Sequence, residues 1–344
     1  MERKRAVLDY SPLGLQFSDN AGKRKIDNIS GVAWDGSHLW TAADEYHTIE
    51  RLSPGREEGF IADASYAIED LFKHWPVGKE ADIEGLAWDS GLLWICGSHC
   101  KVRKAEHAQP DDLDQHSRFK NTVSRTLVGC TELDADGKPD PTTAAALGFG
   151  EEEGSLLWAI VAELPALATH LDLPAKENGL DVEGICAVGD KVLLGLRGPV
   201  IGSRAIVLSF RVTRRGQHLD FVVTAERRLH PFLLDLNGAG IRDLARVGND
   251  ILILAGPTMD LDGPFCLYLW RGAAGDTDSA QLEFIGDLPF ERGEARGPLP
   301  GRCERPEGIT VLASGDLLLI HDAPLAWRVR DARHITVDVY RNAF

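Results

Sequence analysis

Methionine is scarce in this sequence, with two in 344 residues, and no segment approaches the roughly 18 uninterrupted apolar residues of a membrane-crossing helix. A helical membrane protein is therefore not expected. After Arg3, Lys4 and Arg5 there is no apolar run, because Asp9, Ser11, Pro12 and Gly14 interrupt it, so no secretory leader is expected either. Paired cysteines are lacking as well. None of the six (Cys96, Cys100, Cys130, Cys186, Cys266 and Cys303) forms a Cys-x-x-Cys pair, and their spacings match no zinc pattern. All are expected as free thiols of a reduced, cytoplasmic protein. Positive charge is in deficit too: 37 Lys plus Arg stand against 53 Asp plus Glu, a net charge of −16. That field repels phosphate backbones and anionic lipid, so neither nucleic acid nor a membrane surface is an expected partner, and it attracts cations.

Glycine is abundant instead, at 35 residues, which suits tight turns better than long helices. The turns belong to a repeat. Asn28-Ile-Ser-Gly-Val-Ala-Trp34, Asp82-Ile-Glu-Gly-Leu-Ala-Trp88, Asp181-Val-Glu-Gly-Ile-Cys-Ala187, Gly240-Ile-Arg-Asp-Leu-Ala-Arg246 and Arg305-Pro-Glu-Gly-Ile-Thr-Val311 line up. Each runs into a Gly/Asp/Ser/Asn turn and then a second apolar run, at 39–43, 92–96, 192–196, 251–255 and 317–320, which makes the unit a β-hairpin. Third strands are expected at 48–52, 122–128, 205–212, 265–271 and 326–330, and fourth strands at 221–227, 282–285 and 335–340. A blade of four antiparallel strands cannot cover its own faces, so blades pack around an axis. The fold class expected is all-β, one β-propeller domain over 1–344 with five recognisable blades. The 99-residue step from Gly85 to Gly184 leaves room for a sixth blade or, as preferred, a helical insertion around residues 103–176 with its helix near 152–164. The apolar stretch 6–10 is expected to close the ring against the last blade.

The strings Lys176-Glu-Asn-Gly-Leu-Asp-Val-Glu-Gly184, Leu194-Gly-Leu-Arg-Gly-Pro199 and Gly97-Ser-His99 resemble an uncharacterised bacterial β-propeller family, the domain of unknown function numbered thirty-six sixteen. The resemblance runs from about Ile29 to Trp327 and implies the fold without an activity. The Asp-x-Glu-Gly phrase is also similar to one in phytase-like esterase propellers, although Arg242 stands where that phrase has Glu.

Strand direction locates the chemistry. Residues before strand one and after strand two share one end of each hairpin. The motif entries therefore lie beside the exits that carry Asp44, Glu45, His47, Ser98, His99, Lys101, Arg197, Thr258, Asp260, His321 and Asp322. Around the axis the equivalent residues are Ser30, Glu84, Glu183, Arg242 and Glu307. Glu84, Glu183 and Glu307 would repel one another unless offset by Arg242 and Arg305 or by a divalent cation, with Ca2+ preferred for an all-oxygen site. Glu183, Arg197, His99 and His321 are the candidate catalytic residues, with Arg242, Asp44 and Asp322 as ligand-binding residues. Arg197, stiffened by Gly198 and Pro199, is placed to hold an anion or to pair with Glu183 or Asp181. Gly97-Ser98-His99 lacks the Gly-x-Ser-x-Gly elbow of a serine hydrolase. Two readings follow: a cation-assisted hydrolase of a phosphate or carboxylate ester or lactone, or a non-catalytic propeller binding a protein or small ligand on the same face.

Overall fold

The computed structural model describes residues 10–18, 25–56, 59–76, 80–104, 118–120, 122–259, 262–275, 281–289 and 304–344. The first strand, β1 (Tyr10–Gln16), precedes blade one, which is β2 (Ile29–Trp34), β3 (Leu39–Ala43), β4 (Thr48–Pro54) and β5 (Phe60–Ala67). Blade two is β6 (Ile83–Asp89), β7 (Leu92–Gly97), β8 (Val128–Glu132) and β9 (Ala145–Ala146). Blade three is β10 (Asp181–Val188), β11 (Lys191–Gly198), β12 (Ala205–Arg215) and β13 (His218–Val222), with β14 (His230–Leu234) paired to β12 beyond β13. Blade four is β15 (Gly240–Val247), β16 (Asp250–Gly256), β17 (Cys266–Arg271) and β18 (Gln281–Asp287). Blade five begins with β19 (Arg305–Val311), β20 (Leu317–Asp322) and β21 (His334–Tyr340). The inner strands β2, β6, β10, β15 and β19 pack one against the next in a closed cycle.

The ring is closed by the two ends of the chain. β1 pairs antiparallel with β21 along its whole length, from Tyr10 opposite Tyr340 to Gln16 opposite His334. It thereby becomes the fourth strand of blade five. The closing strand thus starts at Tyr10, and residues 6–9 of the expected segment lie outside the described residues. Other expectations shift. The segment expected as strand 122–128 is a 3-10 turn, Val123–Arg125, followed by β8. The segment expected as strand 326–330 is the 3-10 turn Ala326–Arg328, because Arg328 folds inward onto Glu304 and Asp338. The interval 103–176 is not one insertion: it contains β8 and β9, and among the described residues its α-helical part is Leu156–Glu163 and Pro165–Ala168. Ser155 caps the first helix by accepting from the Trp158 amide at 3.1 Å, and Pro165 ends it and starts the next. Leu156, Ala159, Ile160, Leu164 and Leu167 pack on Trp94, Val128, Leu194 and Leu208, so the helices fill the space between blades two and three. Five blades account for the repeat. Cys96, Cys100, Cys130 and Cys186 are buried free thiols, Cys266 is buried as well, and Cys303 lies outside the described residues.

The motif glycines exist because neighbouring inner strands come too close for a side chain. A Cβ on Gly184 would stand 2.9 Å from both Asp243 Cα and Leu244 N of blade four, and one on Gly85 would stand 2.8 Å from Ile185 Cγ2 of blade three. In blade four the matching residue is Asp243, whose buried carboxylate accepts from the Ile309 amide at 2.8 Å and ties blade four to blade five. Gly184→Ala is expected to cost about 1–3 kcal/mol, since the atoms it meets are backbone. A urea unfolding midpoint equal to that of the parent protein would contradict this packing.

Candidate functional site

In every inner strand the pairing register skips one residue, and the five skipped residues are Ser30, Glu84, Glu183, Arg242 and Glu307. A β-bulge leaves its residue out of the ladder and re-aims its side chain. Among the five, Arg242 meets Glu183 and Glu307, while the Ser30 hydroxyl donates to the Ile83 carbonyl of blade two. On β11, Arg197 is skipped in the same way. Arg242 places Nε 2.9 Å from Glu183 Oε2 and bonds Glu307 through Nη2. Arg197 places Nη1 2.7 Å from Glu183 Oε1 and pairs through Nη2 with Asp181. Glu183 is therefore clasped by two guanidiniums and Glu307 by one, and the expected trio Glu84, Glu183 and Glu307 is not gathered around a common point.

Glu84 meets a different pair. One oxygen each of Asp44, Asp82 and Glu84 lies within 4.8 Å of the others. Asp82 is the first residue of the blade-two motif, and Asp44 leaves the second strand of blade one. Asp82 is held by Arg125 at 2.6 Å and by the Ser98 hydroxyl, with Cys100 Sγ 3.6 Å from the same carboxylate. The backbone is left-handed at Asp82 (φ 50°) and at His99 (φ 57°), a conformation residues other than glycine adopt at a cost and which gathers at functional sites. Among the described residues, Asp44 accepts from the Glu45 amide alone, at 2.6 Å, and the Glu84 side chain makes no hydrogen bond or ion pair. Asp82 was not foreseen, since its role rests on Arg125, which comes from a turn outside the repeat.

The electrostatics follow. Burial, reinforced by Asp322 and Asp82, pushes Asp44 up to about 8. Burial, with Asp82, Glu183 and Asp44 nearby, holds Glu84 well above the carboxylate range. Asp181 is raised to about 7 by burial, against the pull of Arg197, and Asp322 to about 6 by burial, against Arg305 and Arg242. Seven carboxylates (Asp44, Asp82, Glu84, Asp181, Glu183, Glu307, Asp322) share this region with four guanidiniums (Arg125, Arg197, Arg242, Arg305). Uncompensated charge at such a site is unfavourable, so protons or a cation must neutralise the excess.

A pH dependence results. A carboxylate raised in the folded state binds protons that the unfolded chain has released, so stability falls as pH rises toward the folded value. His99 and His321 act oppositely, but their contribution is complete by about pH 6.5, the ordinary histidine value. In chelator, the melting temperature is expected to fall from pH 7 to pH 9 as Asp44 and Asp181 ionise. A rise over that range would contradict the assignment.

The histidines divide. His99 is buried, and its Nδ1 lies 2.8 Å from the Gly97 carbonyl, which can only accept, so Nδ1 carries the proton and Nε2 presents a lone pair without a partner. Burial lowers its pKa to about 4, which keeps the ring neutral at pH 7. Its neighbours Ser98 and Cys100 both touch Asp82. His321, expected at the mouth, is placed elsewhere. Its Nε2 lies 3.7 Å from Glu304 and 3.6 Å from Asp338, in a pocket with Arg328 and Tyr340. Side chains alternate along a strand, so Asp322 at the mouth sends His321 to the other face of β20. Asp260 lies outside the described residues.

The mouth opens into a cleft lined by Lys176, Arg197, Arg242, Arg305, Glu304, Asp262, Pro257, Met259, Gly263 and Phe265, with about 410 Å³ of empty space including its open side. Elsewhere Asp89 ties blades two, three and four together, accepting from the Gly189 amide at 2.7 Å and pairing with Arg246. Asp89 ends β6 and Gly189 follows β10, so this knot sits at the opposite end of the inner strands from Asp82 and Asp181.

Five blades around one axis, with a charged mouth at the motif end, make this a β-propeller. A family model described as protein of unknown function (DUF3616) matches residues 28–338, and the chain belongs to that family. No curated protein matches the sequence. Among solved structures the chain is similar to a glutaminyl cyclase from Myxococcus xanthus (10% identity, TM-score 0.41, covering 96% of this chain and 99% of that one). It is also similar to a streptogramin B lyase (10% identity, TM-score 0.39, 97% of this chain and 98% of that one). A third is the tail fibre of Staphylococcus aureus phage P68 (13% identity, TM-score 0.40, 98% of this chain and 53% of that one).

Proposed function

We propose that the mouth is a cation-assisted hydrolytic site for a phosphate or carboxylate ester or lactone. The observation that carries the reading is the trio Asp44, Asp82 and Glu84, in which Glu84 has no partner among the described residues and the three oxygens stand within 4.8 Å. All-oxygen donors suit Ca2+. A cation bound there would polarise the scissile oxygen and lower the pKa of water. Arg197 and Arg242, fixed by their glutamates, face the cleft where negative charge develops. His99 offers a neutral nitrogen as proton acceptor. The second reading, a non-catalytic binder, is favoured by Ser98: it is fully buried and donates to Asp82, so it is no nucleophile. Free, buried cysteines are the ground for proposing a cytoplasmic location.

The test is an assay of chelator-stripped protein against p-nitrophenyl phosphate, p-nitrophenyl acetate and a small lactone, with and without calcium. Calcium-dependent turnover of at least one is expected, lost in Glu84→Gln. If none turns over while calcium binds, the hydrolytic reading is wrong and the binder remains.

A further inference from the structure

The cleft combines two kinds of lining. Lys176, Arg197, Arg242 and Arg305 bring positive charge, while Met259 and Phe265 bring apolar surface to the same cavity. Arg242 is 4% exposed, donates through Nη2 to Glu307 and holds Nε within ion-pair distance of Glu183. Among the described residues its Nη1 has no hydrogen-bond partner, so a deeply held guanidinium keeps two N–H donors for a ligand. Met259 is 43% exposed, although a large apolar side chain gains most when covered. A flexible thioether adapts to apolar groups of varied shape.

We propose that the ligand of this cleft is an amphipathic oxyanion. Its phosphate or carboxylate head sits on Arg242, flanked by Arg197 and Arg305, and its aromatic or alkyl body covers Met259 and Phe265. This rests on the reading of the mouth as the binding site for an oxyanion-bearing substrate. The space of about 410 Å³ includes the open side of the cleft, so the body of the ligand lies against Met259 and Phe265 at an open surface and is not enclosed. The guanidinium head contacts fix orientation, and the apolar body supplies affinity by leaving water.

The experiment is a calorimetric titration of the calcium-loaded full chain with phenyl phosphate, methyl phosphate, benzoate and acetate. In at least one pair the aromatic anion is expected to bind roughly tenfold or more tightly than its small counterpart. The pair that shows it tells phosphate from carboxylate. Met259→Ser should cut that advantage to about threefold or less while leaving methyl phosphate affinity within about twofold. Equal affinities within both pairs, or an advantage untouched by Met259→Ser, overturn the inference and leave the oxyanion reading standing. If none of the four binds, both fall. If the aromatic anions bind with the expected advantage but the nitrophenyl esters do not turn over, the hydrolytic reading falls and this inference holds.

Discussion

Arg242→Leu is expected to destabilise the protein by about 3–5 kcal/mol, the cost of removing one partner from a buried ionic network. Arg242 belongs to blade four, yet it bonds Glu183 of blade three and Glu307 of blade five, and it is almost wholly buried. Its loss leaves Glu307 without the guanidinium that bonds it and Glu183 with only Arg197. The same substitution together with Glu183→Gln and Glu307→Gln should recover much of the loss, because the orphaned charges go with it. Arg271→Ala serves as the control: Arg271 is half exposed beside Asp250 and Glu283, and exposed pairs are worth about 0–1 kcal/mol. Urea unfolding monitored by tryptophan fluorescence reads all three. A loss for Arg242→Leu no larger than for Arg271→Ala would show that the central arginine does not hold the blades together.

Glu84→Gln should behave in the opposite manner. Glu84 makes no side-chain hydrogen bond or ion pair among the described residues, and its charge is opposed by burial and by Asp82, Glu183 and Asp44. In chelator at pH 8 the variant is therefore expected to melt at or above the temperature of the parent protein. With calcium at a hundredfold excess over its dissociation constant, the parent gains about 2.7 kcal/mol by linkage and the variant gains almost none. A residue that costs stability without a cation and confers it with one is a ligand. Equal calcium responses in the two proteins would remove Glu84 from the cation site.

The repeat was readable because one constraint recurs in every blade. Where a Cβ would press on the next inner strand, as at Gly85 and Gly184, glycine is favoured at the crossing, and the residue before it is the one the bulge turns inward. Ser30, Glu84, Glu183, Arg242 and Glu307 could thus be placed together from sequence alone. Which of them pair could not. Arg242 draws Glu183 and Glu307 to itself, and that choice depends on the direction of a side chain rather than on spacing. Asp82 was hidden because its partners Arg125 and Ser98 lie outside the motif. His321 was misplaced for a simpler reason, since adjacent strand residues cannot share a face and Asp322 holds the mouth. The closing strand β1 was displaced because its residues, Tyr10–Gln16, contain Pro12 and Gly14, which argue against a strand except at an edge. β1 is an outer strand, and its pairing with β21 overrides that local preference.

The central claim is that Asp44, Asp82 and Glu84 form a cation site. Diffraction from crystals soaked in calcium chloride, with the anomalous signal mapped, tests it most directly. The account predicts one strong peak with carboxylate oxygens of these three residues at about 2.3–2.6 Å, the usual calcium–oxygen distance. A map with no peak there, or with the ion seated between Glu183 and Glu307 in place of Arg242, would contradict it.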